Sequence, residues 1–362
     1  MNTFRTDGAD GAGRPEMVDW DLAVRIGGRL AGDGPSVGRD EVSAIVDELR
    51  AGAARSTGLV REFTGLVAAD ADADAGAGAP VLVVDRASWV QANADAFATL
   101  LGPVVDKLTE KKAPSGLAAA VGSRITGAEV GGVLGFLGSK VLGQFDPFHE
   151  PAGRLLLVAP NIVHVEREID ADPHDFRLWV CLHEETHRVQ FTAVPWMREH
   201  MFTQIQRFAE TMEPGSLLED GLSRVLDGLK NARSGGSLLD MVGTPEQKAL
   251  LDGLTGVMSL LEGHADVVMD GVGPTVIPSV AKIRARFNER RKGVGVLDRL
   301  LRRVLGLDAK MAQYRDGAVF VRSVIDKAGM SGFNVVWEQA EHLPSRAEIT
   351  DPDAWMARVL RT

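Results

Sequence analysis

From Asn161 onward, apolar residues recur almost entirely at helical spacing, and this leaves little room for a sheet. Helical patterns run over 173–192, 196–212, 217–232, 245–269, 279–291, 297–305 and 310–327. Only two short runs bounded by Pro or Gly, 81–84 and 155–158, read as strands, each leading into a helical pattern. Seven helices against two strands cannot alternate as a βαβ array, so the spacing predicts a mainly α fold with a small β-sheet, of the α+β class. No internal repeat is visible.

Ahead of this region, residues 1–14 are polar and Gly-rich and are expected to be disordered, and 15–68 reads as an N-terminal helical segment. The run ADADADAGAGAP over 69–80 reads as a flexible loop, leaving 81–362 as the main domain. A chain of 362 residues that is 45% hydrophobic can bury a substantial core. With 50 acidic and 40 basic residues, and the basic ones scattered, it offers no stripe for nucleic acid. Cys181 is the single cysteine, so no intrachain disulfide can form, and no secretory signal is evident. A cytoplasmic protein is expected, and the Arg-, Ala- and Gly-rich usage points to a bacterial one.

Residues 116–145 are apolar enough to raise the question of a membrane span, but Arg124, Glu129 and Lys140 interrupt them, and a buried helix is expected instead. Gly127, Gly131, Gly135, Ser139 and Gly143 recur every four residues, the pattern of a smooth groove for a tightly crossing helix.

The chemistry concentrates in DPHDFRLWVCLHEETHRVQF. Asp172 is a plausible N-cap, Pro173 takes the first helical position, and Asp175 follows three residues after the cap. Within that helix His183 and His187 stand at i and i+4, on one face, where both imidazoles can grip one ion. Glu184 projects beside such an ion. This is what metal-assisted hydrolysis needs: a cation that acidifies water and polarises a carbonyl, and a carboxylate to take the proton. The bland alternative is two histidines sharing an ordinary amphipathic face.

Catalytic zinc normally takes a third protein ligand. Gln190 and Ala193 stand where a metzincin would carry Gly and a third His, which excludes that arrangement. The best source lies in LLEGHAD, inside a helix whose start is marked by Thr244, Pro245 and Gln247 in capping-box spacing. Glu262 and Asp266 share a face, while His264 points about 200° away from Glu262. Glu262 is therefore the preferred third ligand, with His264 or an unidentified residue as the alternatives. Asp266 is expected to accept a hydrogen bond from the outer nitrogen of a ligand histidine. His264 could instead line the cleft or simply pack. Tyr314, the only tyrosine, could donate to a developing oxyanion or be an ordinary buried ring. His149, His164, His174, His200 and His342 have no partner at metal spacing.

HEETH followed by RVQFTAVPW, with EGHADVVMD further on, resembles the bacterial zincin-like metallopeptidase family, whose members are described as hydrolases. The resemblance extends over VLGQFDPF, LLLVAPNI and QYRDGAVFV, and one subgroup of that family is associated with biosynthesis of the deazaflavin coenzyme F(420). It implies a zincin-like metalloprotease fold, one zinc on His183, His187 and Glu262, and Glu184 as catalytic acid/base. The spacing of Glu262 and Asp266 looks gluzincin-like. No flavin or dinucleotide motif accompanies it.

Two functions compete on this reading. One is a zinc-dependent metallopeptidase or amidase acting on a peptide or small amide, with no nucleic-acid or membrane partner. The other is a catalytically idle zinc-binding scaffold. Glu184 favours the first, because a purely structural site has no use for a carboxylate beside an open coordination position.

Overall fold

The computed structural model describes residues 17–67, 79–111, 117–211, 244–292 and 307–360. The predicted helices over 217–232 and 297–305 lie outside these residues, as do 1–14 and most of 69–80. The elements in order are α1 (Trp20–Ala31), α2 (Arg39–Thr64), β1 (Val81–Val84), α3 (Arg86–Lys111), α4 (Leu117–Gly138), β2 (Gly143–Asp146) and β3 (Arg154–Val158). They continue with α5 (Ala159–Glu168), α6 (Pro173–Ala193), α7 (Pro195–Glu210), α8 (Pro245–Val276), α9 (Val280–Lys292) and α10 (Leu307–Asn334). Two 3-10 turns and two short helices, Arg346–Thr350 and Pro352–Val359, follow. The protein is mainly α with a small sheet, as its periodicity requires.

The sheet runs in the order β1-β3-β2, with β1 parallel and β2 antiparallel to β3. All five residues of the central strand are buried, and their alternation splits the core in two. Leu155 and Leu157 face the larger core, with Leu49 of α2, Leu182 of α6 and Leu260 of α8. Leu156 and Val158 face the smaller one, with Ala31 of α1, Trp89 and Val90 of α3 and Leu134 of α4. The pleat sends successive side chains to opposite faces, so a single short strand separates two layers of helices. The N-terminal segment serves both layers: α1 packs on α4, and α2 on α6.

β2 is a strand the sequence reading missed. Its four residues, GQFD, lack the β-branched run that marks a strand alone, and it exists by pairing with β3. The expected helix through 116–145 is accordingly shorter. It ends at Gly138, which leaves Ser139 in a turn and puts Gly143 on β2. The remaining three members of the pattern form the tight crossing. A Cβ on Gly127, Gly131 or Gly135 would fall 2.4, 2.6 or 2.8 Å from a backbone oxygen of Asp19, Ala23 or Gly27, on or just before α1. Among the described residues, no helix is long and apolar enough to cross a membrane.

This crossing gives a matched pair of substitutions on adjacent residues. Gly131→Ala drives a methyl into α1 backbone that has no flexible end to yield, and is expected to lower stability by roughly 1–3 kcal/mol in denaturant unfolding. Gly132→Ala has open space around its Cβ, and the better helix former should raise stability by about 0.5–1 kcal/mol. Equal effects at the two sites would mean that α1 and α4 do not cross this closely.

Candidate metal centre

α6 begins as the sequence predicts. The Asp172 side chain accepts from the Asp175 amide at 3.0 Å, and Pro173 occupies the first turn. The helix then carries an unusual load of buried polar side chains: Arg177, Glu184, Glu185, Thr186 and Gln190. Each buried polar group costs free energy unless it is partnered, and most of these partners come from other elements. Arg177 makes a two-pronged bond to Glu166 of α5, at 2.7 and 3.0 Å, and reaches Glu48 of α2 at 2.5 Å. Glu185 accepts from Thr57 of α2 at 3.0 Å and from Arg188 at 3.1 Å. Burial pushes the Cys181 thiol up, and its sulfur donates to the Leu49 carbonyl, so this cysteine is no ligand.

α8 supplies the opposite wall. Its start is the expected capping box, in which Thr244 and Gln247 exchange hydrogen bonds between side chain and backbone. Gly263, next to Glu262, lets α10 approach to backbone contact: a Cβ there would fall 2.2 Å from the carbonyl carbon of Gly317.

Where these helices meet, His183, His187 and Glu262 offer one donor atom each, all within 4.8 Å of one another. Glu262 Oε2 lies 3.8 Å from His183 Nε2 and 3.9 Å from His187 Nε2, and the two imidazole planes are nearly perpendicular at 89°. Donors bound at 2.0–2.1 Å around one tetrahedral ion stand about 3.4 Å apart, so a small inward movement of side chains suffices. Two imidazoles and one carboxylate are the donor chemistry of a catalytic zinc. His187 also meets a further requirement, since its Nδ1 is bonded at 3.0 Å to Gln190 Oε1, which leaves Nε2 to face the ion. The residues fit a zinc ion.

Glu184 is 7% exposed and packs across β2. A Cβ on Gly143 would stand 2.6 Å from its Cγ, so only glycine leaves room for this carboxylate at the sheet edge. Burial, with the Glu262 carboxylate adding to it, pushes Glu184 up to about 8. A cation held by the three donors acts in the opposite direction.

The other predicted site residues are distributed as follows. Asp266 lies one turn beyond Glu262 and binds Arg284 at 3.1 Å and Arg322 at 3.1 Å. These two arginines, from α9 and α10, also engage Asp270. His264 is fully buried and does not join the three donors; it is stacked on Phe333 and edge-on to Trp337, with its Nδ1 2.9 Å from Gln190 Nε2 of α6. Tyr314 falls on α10, with its side chain outside the described residues. Gln190 is the site residue sequence reasoning passed over. Its spacing of i+3 from His187 was the available signal, visible once a polar residue is required on that face.

The chain belongs to the zincin-like metallopeptidase family, whose profile matches residues 18–356. Among solved structures it is similar to one from Chloroflexus aurantiacus described as "a putative hydrolase with a novel fold". The two share 29% identity with a TM-score of 0.70, over 95% of this chain and 99% of that one. No curated protein matches the sequence.

His264 gives the centre a pH signature. Burial, aided by nearby His187, pushes its imidazole down from 6.5 to about 3. Between those values the unfolded chain takes up a proton that the native state refuses. Stability is therefore lost as pH falls from about 6.5, at up to about 1.4 kcal/mol per pH unit. His264→Gln should make acid unfolding less steep in that window, groups common to both chains cancelling in the difference. A variant as acid-sensitive as wild type would contradict the burial of a neutral imidazole.

Proposed function

We propose that the protein is a zinc-dependent hydrolase that cleaves a peptide or related amide bond in the cytoplasm. Its one zinc ion would be held by His183, His187 and Glu262. The observation that carries this reading is the convergence of those three donors with Glu184 beside them. A zinc ion so held supplies Lewis acidity toward a water molecule and a substrate carbonyl.

The remaining chemistry falls to this chain's own residues. Glu184 accepts the proton of the attacking water on a carboxylate oxygen and returns it to the leaving amine. The group must titrate near neutrality to do both, and its burial works in that direction. Gly143 fixes where the carboxylate sits. β2 is an edge strand of the sheet, with no further strand pairing to it among the described residues. An extended backbone added along that edge would pass beside Glu184, which favours a peptide over a compact amide. The side chains of His183, Glu262 and His187 are 31, 22 and 15% exposed, the openness a substrate requires and a sealed scaffold site lacks.

Protein purified without chelator should contain close to one zinc per chain by elemental analysis, and His183→Ala, His187→Ala or Glu262→Ala should lose most of it. Glu184→Gln keeps the shape and removes the base. It should bind zinc and melt like wild type, yet lose about 10²–10⁴-fold in turnover of a substrate identified from peptide libraries. Undiminished zinc in all three ligand variants would refute the site, and full turnover by Glu184→Gln would refute the base.

A further inference from the structure

Gln190 touches both helices that carry the metal donors, and the chemistry of its neighbours fixes its orientation. Its amide nitrogen lies 2.9 Å from the carbonyl oxygen of Leu261, the residue preceding Glu262. A backbone carbonyl can only accept, so the atom facing it must be the NH2 and the opposite atom the carbonyl oxygen. That oxygen is 3.0 Å from His187 Nδ1. Since a carbonyl oxygen has no proton to give, Nδ1 must carry one, and the lone pair of His187 is left on Nε2, the atom that faces Glu262. The second hydrogen of the NH2 points to His264 Nδ1 at 2.9 Å. The His264 ring is held between Phe333 and Trp337, at centroid distances of 5.4 and 5.3 Å, so its acceptor nitrogen cannot swing away.

We propose that Gln190 is a positioning residue for the metal centre: it reads the Leu261 carbonyl on α8 and sets His187 on α6 in the tautomer that leaves Nε2 free to bind. The Leu261 carbonyl holds the amide the right way round, and His264 adopts the tautomer whose Nδ1 accepts the second amide hydrogen. A flipped amide would turn its NH2 toward Nδ1 of His187, draw that imidazole's proton onto Nε2, and set its oxygen against the Leu261 carbonyl. The polarity of a backbone carbonyl beside one ligand thus selects the protonation pattern of another. This inference rests on the reading that His183, His187 and Glu262 hold zinc.

Two measurements test it, the first of them separately from that reading. In metal-free protein, the imidazole ¹⁵N shifts of His187 report which nitrogen is protonated, and they should show the Nδ1–H tautomer in wild type and a shift toward Nε2–H in Gln190→Leu. In chelator competition, Gln190→Leu should bind zinc about 10–100-fold more weakly, the range for loss of a hydrogen bond to a ligand histidine. Gln190→Glu keeps the size and an acceptor for Nδ1–H but sets a carboxylate against the Leu261 carbonyl. It should lower the melting temperature while holding zinc more tightly than Gln190→Leu does, and it remains informative if the Leu variant does not fold. Wild-type zinc affinity in Gln190→Leu, or an Nε2–H tautomer in metal-free wild type, would overturn the proposal. Absence of zinc binding by wild type would overturn the proposed function instead, and the tautomer measurement would still decide the role of Gln190.

Discussion

The arrangement depends on holding one polar helix, α6, in the middle of an apolar body. Two histidines and a buried carboxylate sit on it, and a helix bearing them cannot be buried on hydrophobic contacts alone. The solution is a set of partners brought from every side. Glu166 and Glu48 accept from Arg177, Thr57 donates to Glu185 beside Arg188 of α6 itself, and the Leu261 carbonyl and His264 accept from Gln190. Removing one partner of such a set strands the other, which is why the N-terminal helix α2 is as much a part of the site's support as the helices around it.

Close backbone approach is the second device. Gly263 and Gly317 bring α10 against α8 beside Glu262, and Gly143 brings the edge of the sheet against Glu184. In both places the glycine acts by what it omits, because one methyl would displace the Glu184 side chain or the neighbouring helix. The α1–α4 crossing uses the same device away from the site, where it only packs the smaller core.

Around the donors the electrostatics run in a definite order. The carboxylates of Glu262, Asp266 and Asp270 follow one another along α8. The outer two are neutralised by Arg284 and Arg322, and the first is left facing the histidines. A row of acids is thereby reduced to one free carboxylate at the point where a cation fits.

The sequence by itself determined the elements whose causes are local. The cap at Asp172, the capping box at Thr244 and the shared face of His183 and His187 each involve residues within one turn, so spacing alone is sufficient. It also singled out Glu262, because an acid in an apolar helical run is conspicuous, and the family resemblance pointed the same way. What only the tertiary structure decided are relations between residues far apart in the chain. Spacing placed Asp266 on the face of Glu262, but Arg284 and Arg322 arrive from other helices to take it. β2 exists because β3 pairs with it, and the role of Gly143 follows from a glutamate dozens of residues away. Gln190 is an unremarkable polar residue until Leu261 and His264 are packed against it. Helical periodicity encodes which way a side chain points; which group it meets there is set by how the helices cross, and that is a property of the whole core.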